Sequence, residues 1–146
     1  MSATNAFETA LLTLYFNNTD HANVGDAAGL QNSVGAGSFY VSLHTADPGE
    51  AGSQTTSEAT YTSYARVAVA RSAAGWTIAA ANVSNAAAVT FPAATGGSNT
   101  ITYFGIGSDA SGAGNLFFSG ALSASLAVSS GITPSFAIGE LDVNLD

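Results

Sequence analysis

The chain has only two imidazoles, His21 and His44, so base or nucleophile chemistry near neutral pH would have to use one of them. His21 falls in a polar run and His44 at a strand end beside a turn signal. Neither is accompanied by a Gly-x-Ser-x-Gly elbow, and serine is too frequent for a Ser–His pairing to carry information. The simpler expectation for His44 is a side chain that bonds the backbone of the loop following it. Paired carboxylates are no better supported. The ten acidic residues are spread singly, and Glu140 and Asp142 share a strand face that alternation makes the solvent side.

Metal and nucleotide chemistry fare similarly. Asp109-Ala110-Ser111-Gly112 resembles the start of an oxygen-rich calcium loop, but the position where such a loop needs its bidentate Glu is Gly120. Asp20, Asn23 and Asp26 leave two readings open, a cation cluster and ordinary Asx turns. With no Cys and two distant His, zinc has no ligand set. Gly105-Ile106-Gly107 lacks the third glycine of a dinucleotide fingerprint and reads as a close backbone approach or a bulge. The expectation is a protein with no catalytic, metal or cofactor residues, and not an enzyme.

Arg66 and Arg71 supply all the formal positive charge against ten acids, for a net charge of −8. Each can pair with a carboxylate of its own chain or across a subunit contact. Two arginines cannot neutralise a phosphate backbone or an anionic membrane, so nucleic acid and membrane are excluded as partners. Charged residues make up 8% of the chain, whereas soluble domains average about 25%. Solubility rests on Ser, Thr, Asn and Gly, a surface easily dehydrated against another protein. That suits a chain built into an assembly. The N-terminal Met1-Ser2-Ala3-Thr4-Asn5 has no basic region, so a start in a cytoplasm is expected.

These side chains sit on short elements. Phe7, Leu11, Leu14 and Tyr15 form one stripe at helical period, with Asn5 as N-cap and Glu8 as its capping-box partner, predicting a helix within residues 1–20. Residues 21–37 read as a loop. Strands are expected at Ser38–His44, Tyr64–Arg71 with a continuation at Trp76 and Ile78, and Ala81–Phe91. Further strands are expected at Thr100–Ile106, Leu116–Ser119, Leu122–Val128, Thr133–Ile138 and Glu140–Leu145. In the first of these Phe39, Val41 and Leu43 face inward and Tyr40, Ser42 and His44 outward. Asp47-Pro48-Gly49 turns the chain, and Ser108–Asn115 forms a long, flexible hairpin tip. The spacing predicts one mostly-β domain over residues 1–146, an antiparallel β-sandwich or jelly-roll-like barrel with an N-terminal α-helix and a β core from 38 to 146.

The run Phe39-Tyr40-Val41-Ser42-Leu43-His44-Thr45-Ala46-Asp47-Pro48-Gly49-Glu50 resembles the LHTADPG segment of small tailed-bacteriophage virion proteins, described as tail-fibre-like, minor tail or head-decoration proteins. The similarity continues through Tyr64–Val69, Asn85–Pro92, Thr102–Ile106, Gly114–Leu122 and Gly139–Val143, covering about residues 38 to 146. The resemblance implies a structural virion component and brings no catalytic residues. The reading favoured at this level is an outer-capsid decoration (cement) protein, a homotrimer bound to the major capsid protein lattice. The alternatives are a tail component (tail-fibre, tail-tip or baseplate adaptor) and a carbohydrate-binding adhesion module that stacks sugars on Trp76, Tyr61 and Tyr64. Residues expected at subunit or lattice contacts are Phe7, Leu11, Tyr15, Asp47, Pro48, Gly49, Arg66 and Arg71.

Overall fold

The computed structural model describes residues 3–26 and 28–145. The elements are α1 (Asn5–Asn17), β1 (Ser38–His44), β2 (Val67–Ala70), β3 (Trp76–Ala79), β4 (Asn82–Asn85), β5 (Val89–Thr90), β6 (Ser98–Gly107), β7 (Leu116–Ser129), β8 (Ser135–Phe136) and β9 (Asp142–Asn144). The protein is mostly β with one N-terminal helix, and the β1–β6, β3–β4, β4–β9, β5–β8 and β6–β7 pairs all run antiparallel. The chain divides into two compact units, Met1–Ser38 with Ala70–Ala88 and Ala137–Asp146, and Phe39–Val69 with Val89–Phe136.

In the first unit α1 packs on β3 and β4 of the sheet β3-β4-β9. Thr4 is the N-cap: it has extended dihedrals, and its Oγ1 accepts from the Phe7 N–H. The helix ends on Asn18 in the left-handed conformation. Its buried stripe is Glu8, Leu12 and Phe16, one residue along from the expected stripe, and Phe7 is 49% exposed. The doublets Leu11-Leu12 and Tyr15-Phe16 permit two stripes rotated by about 100°. The winner puts Phe16 edge-to-face on Trp76 at 5.0 Å, with both rings fully buried. Asn85 closes this unit from inside. Its Nδ2 donates to the Ala87 and Ala137 carbonyls at 2.8 Å, and its Oδ1 accepts from Leu141 N–H at 2.9 Å. The turn of Asn85 toward Ala87 ends β4 there, so the strand expected over Ala81–Phe91 is instead β4 and β5, separated by residues 86–88.

The second unit holds a four-stranded sheet in the order β2-β1-β6-β7 and the β5–β8 ribbon. Phe136 on β8 meets Phe104 on β6 and Phe91 after β5, each at 6.1 Å and edge-to-face, giving this unit a sandwich-like layering. β1 matches its expected limits, but its outward face does not. Ser42 and His44 are buried along with Val41 and Leu43, because the chain beyond the strand folds back over that face. The two strands expected within 116–128 form one, β7, whose pairing with β6 is irregular near its middle.

Candidate functional site

The segment after β1 returns along it. Thr45 N–H donates to Ser57 O at 2.8 Å and Ala59 N–H to Leu43 O at 2.8 Å. His44 Nδ1 lies 2.8 Å from the Thr56 carbonyl, which can only accept, so Nδ1 carries the proton. Nε2 of the neutral ring then accepts from Ser42 Oγ at 2.8 Å. Burial pushes the His44 pKa down, and the bond to Thr56 opposes it only partly. The line Ser–His–acceptor is the geometry of an activated nucleophile. Here it is sealed. Ser42 and His44 are fully buried, and a Cβ on Gly105 of β6 would stand 2.6 Å from His44 Nε2 and 2.7 Å from Ser42 Oγ. The pair fastens a loop, as the position of His44 beside a turn led one to expect.

Beside it lies the buried Arg66 side chain. Nε donates to Glu58 Oε1 at 2.6 Å and Nη2 to Oε2 at 2.8 Å, a bidentate ion pair. Nη1 also reaches Asp109 O and Nη2 Gly112 O, each at 2.8 Å. The Glu58 bond is the first cause of a guanidinium pKa above its ordinary value. Tyr64 Oη donates to Glu58 Oε1 at 2.9 Å and accepts from Leu43 N–H at 3.1 Å, and burial drives its pKa far up. Gln54, also fully buried, completes the set. Its Oε1 accepts from Asp109 N–H at 2.9 Å, and its own N–H donates to Ala113 O at 2.9 Å. The 108–115 tip is therefore anchored on Arg66 and Gln54.

On the same unit an open groove of about 390 Å³ is lined by Asp47, Gly49, Glu50, Tyr103 and residues 116–121. Asp47 Oδ1 accepts from Gly49 N–H at 2.9 Å in an Asx turn, so the expected turn chemistry holds, and Gly49 takes a φ of 68°. Asp47 and Gly49 are exposed, whereas Pro48 is buried. The groove thus offers two carboxylates beside the 38%-exposed ring of Phe117.

The remaining expected contact residues lie in the first unit, apart from Arg66. Phe7 is exposed beside His21, with ring centroids 5.8 Å apart, and Leu11 and Tyr15 are half-buried. Arg71 serves the end of α1: Nε donates to Tyr15 O at 2.7 Å, Nη2 to Leu14 O at 3.1 Å and Nη1 to Ala36 O at 3.1 Å. Arg66 pairs with a carboxylate of its own chain, while these bonds of Arg71 go to carbonyls. The stacking platform fails: Trp76 and Tyr61 are buried, and Tyr64 is spent on Glu58 and the Phe91 ring stacked on it. Asp26 Oδ1 accepts from Ala28 N–H, the expected Asx turn, whereas Asp20 Oδ1 accepts from Asn32 N–H twelve residues on and ties the two ends of the loop together. Among the described residues no group of three or more His, Cys, Asp or Glu could hold a metal ion. None of their helices is long and apolar enough to cross a membrane. Sequence reasoning missed Gln54, Glu58 and Asn85: Gln54 and Asn85 reach partners 52 to 56 residues along the chain, and Glu58, though only six and eight residues from Tyr64 and Arg66, stands in a polar run with no periodicity to single it out.

A family model described as "Podophage GP4 fiber I protein gp80" matches residues 2–144. No curated protein matches the chain. A match running through both units and nearly the whole sequence makes this chain a member of the podophage fiber I protein family, and a bacteriophage structural protein.

Proposed function

We propose that this protein is a non-enzymatic building block of a podophage tail fibre or of the adaptor that attaches one. The observation that carries the reading is the family match over residues 2–144. It favours the tail over the outer-capsid cement role that composition alone had put first. The sealed Ser42–His44 pair and the anchored loops support a part that holds its shape rather than one that turns over a substrate. The low-charge, hydroxyl-rich surface fits extensive contact with further virion proteins.

The experiment is quantitative mass spectrometry of purified particles together with cryo-electron microscopy of the tail. The expected result is a copy number far below that of the major capsid protein, with density at the tail. Stoichiometry with the capsid subunit, and density over the shell, would return the cement reading. Absence from the particle would overturn both.

A further inference from the structure

The groove beside β7 arises from differences in side-chain size along one strand. Ser119, Gly120 and Ala121 are small. They are flanked by larger groups: Tyr103, opposite Ala121 in the β6 ladder, and Leu116 and Phe117 earlier in the strand. Residues 118–121 keep an unbroken register with β6, so this floor is fixed. Phe117 is held as well, its ring edge-to-face on that of the buried Phe39 at 5.7 Å. A further wall is the turn after β1. Buried Pro48 and the bond from Gly49 N–H to Asp47 Oδ1 hold its backbone, and Gly49 adds no side chain to narrow the groove.

Asp47 and Glu50 bring two negative charges to this lining, and no Lys or Arg belongs to it. A bare calcium ion takes about six or more oxygen ligands, and among the described residues no group of three or more His, Cys, Asp or Glu is gathered to supply them. An organic cation uses both sides of the groove. Its charge faces the carboxylates while its apolar stem lies against Leu116 and Phe117. A guanidinium suits the place best, since its plane stacks on an aromatic ring such as Tyr103 while its N–H groups bond carboxylate oxygens. A second copy of this chain cannot bring that group. The chain has no Lys, Arg66 is buried on Glu58 and the 108–115 tip, and Arg71 is bonded to the end of α1. We propose that the groove is a docking site for a basic segment of a different protein, and that it seats an arginine of that segment between the 47–50 turn and β7. The docking goes beyond the tail reading and does not depend on where in the virion the protein sits.

The test is heteronuclear NMR of the isotope-labelled full chain, titrated with the capped peptide Ser-Val-Arg-Val-Ser and with the same peptide carrying neutral citrulline in place of arginine. The arginine peptide should shift the amides of Asp47, Gly49, Glu50 and residues 116–121, and added salt should weaken the response. The citrulline peptide should bind about tenfold more weakly, the worth of two exposed charge contacts. Asp47→Asn with Glu50→Gln removes both charges and keeps a side-chain oxygen for Gly49 N–H. This double variant should weaken the arginine peptide by the same factor while amides elsewhere keep their positions. No response, equal responses to the two peptides, or a double variant that binds as wild type does would overturn the proposal. Shifts of the same amides with neutral chitotriose and none with the arginine peptide would also overturn it and make the groove a sugar site. Absence of the protein from the tail would leave these results standing, so the two readings fail separately.

Discussion

The Arg66 guanidinium holds both oxygens of Glu58, Nε to Oε1 at 2.6 Å and Nη2 to Oε2 at 2.8 Å, and the same group reaches the carbonyls of Asp109 and Gly112. One buried fork therefore joins the segment after β1 to the β6–β7 tip. Breaking a buried ion pair from one side leaves the other charge desolvated, at a cost of about 3–5 kcal/mol. Arg66→Ala should lose about that much stability in urea unfolding. Amides 109–113 should gain hydrogen exchange more than those of β1. Arg66→Lys should rescue little, because an ammonium cannot supply the planar fork. Equal exchange in tip and strand would show that the arginine does not anchor the tip.

Arg71 acts on a different element. The last carbonyls of a helix lack intrahelical donors and sit at the negative end of its dipole. Arg71 bonds two of them, Leu14 O and Tyr15 O, and joins them to Ala36 O in the following loop. Arg71→Met keeps much of the stem and removes the donors, and should cost about 2 kcal/mol. Helical circular dichroism should fall at a lower denaturant concentration than in wild type. An unchanged midpoint would mean that water replaces the guanidinium at no cost.

Local pattern carried some of this structure and not the rest. β1 was legible to the residue, because alternation of Phe39, Val41 and Leu43 and the Asp47-Pro48-Gly49 turn both mark its end. The outward assignment of Ser42 and His44 failed because alternation cannot register a loop that returns to cover the second face. The α1 stripe was ambiguous from adjacent apolar doublets, and only Trp76, some sixty residues away, selects between them. Arg66 was visible as a rare cation, but its carbonyl partners lie 43 and 46 residues further on. Nothing local points to them. The glycines at 105 and 107 were legible as close approach, though not what they approach.

Gly105 tests that approach. A Cβ there would stand 2.6 Å from His44 Nε2 and 2.7 Å from both Ser42 Oγ and Leu116 Cδ1, a contact that must displace a neighbour. Gly105→Ala should destabilise by about 1–3 kcal/mol through overpacking. Ser42→Gly opens space beside it, so the double variant should cost less than the sum of the two single changes. Strict additivity in the double-mutant cycle would show that the side chain finds room without moving the pair.

His44 gives the fold a pH dependence whose direction follows from its burial. Its folded pKa lies below the ordinary value of about 6.5, mainly from desolvation. The folded ring stays neutral where the unfolded ring takes up a proton. Its contribution is therefore fully present above about pH 6.5 and is lost as the pH falls through that value toward the folded pKa. A cationic ring would also offer a second N–H to Ser42 Oγ in place of the acceptor that hydroxyl now uses. His44→Gln removes the titration while keeping an amide that can bond the Thr56 carbonyl. Urea midpoints measured from about pH 7.5 to 5 should fall more steeply for wild type than for His44→Gln, by at most about 1.4 kcal/mol per pH unit. The carboxylates and His21 are common to both proteins, so the difference between the curves isolates His44. Parallel curves would place a proton on the folded ring at no cost and refute the neutral Ser42–His44–Thr56 arrangement.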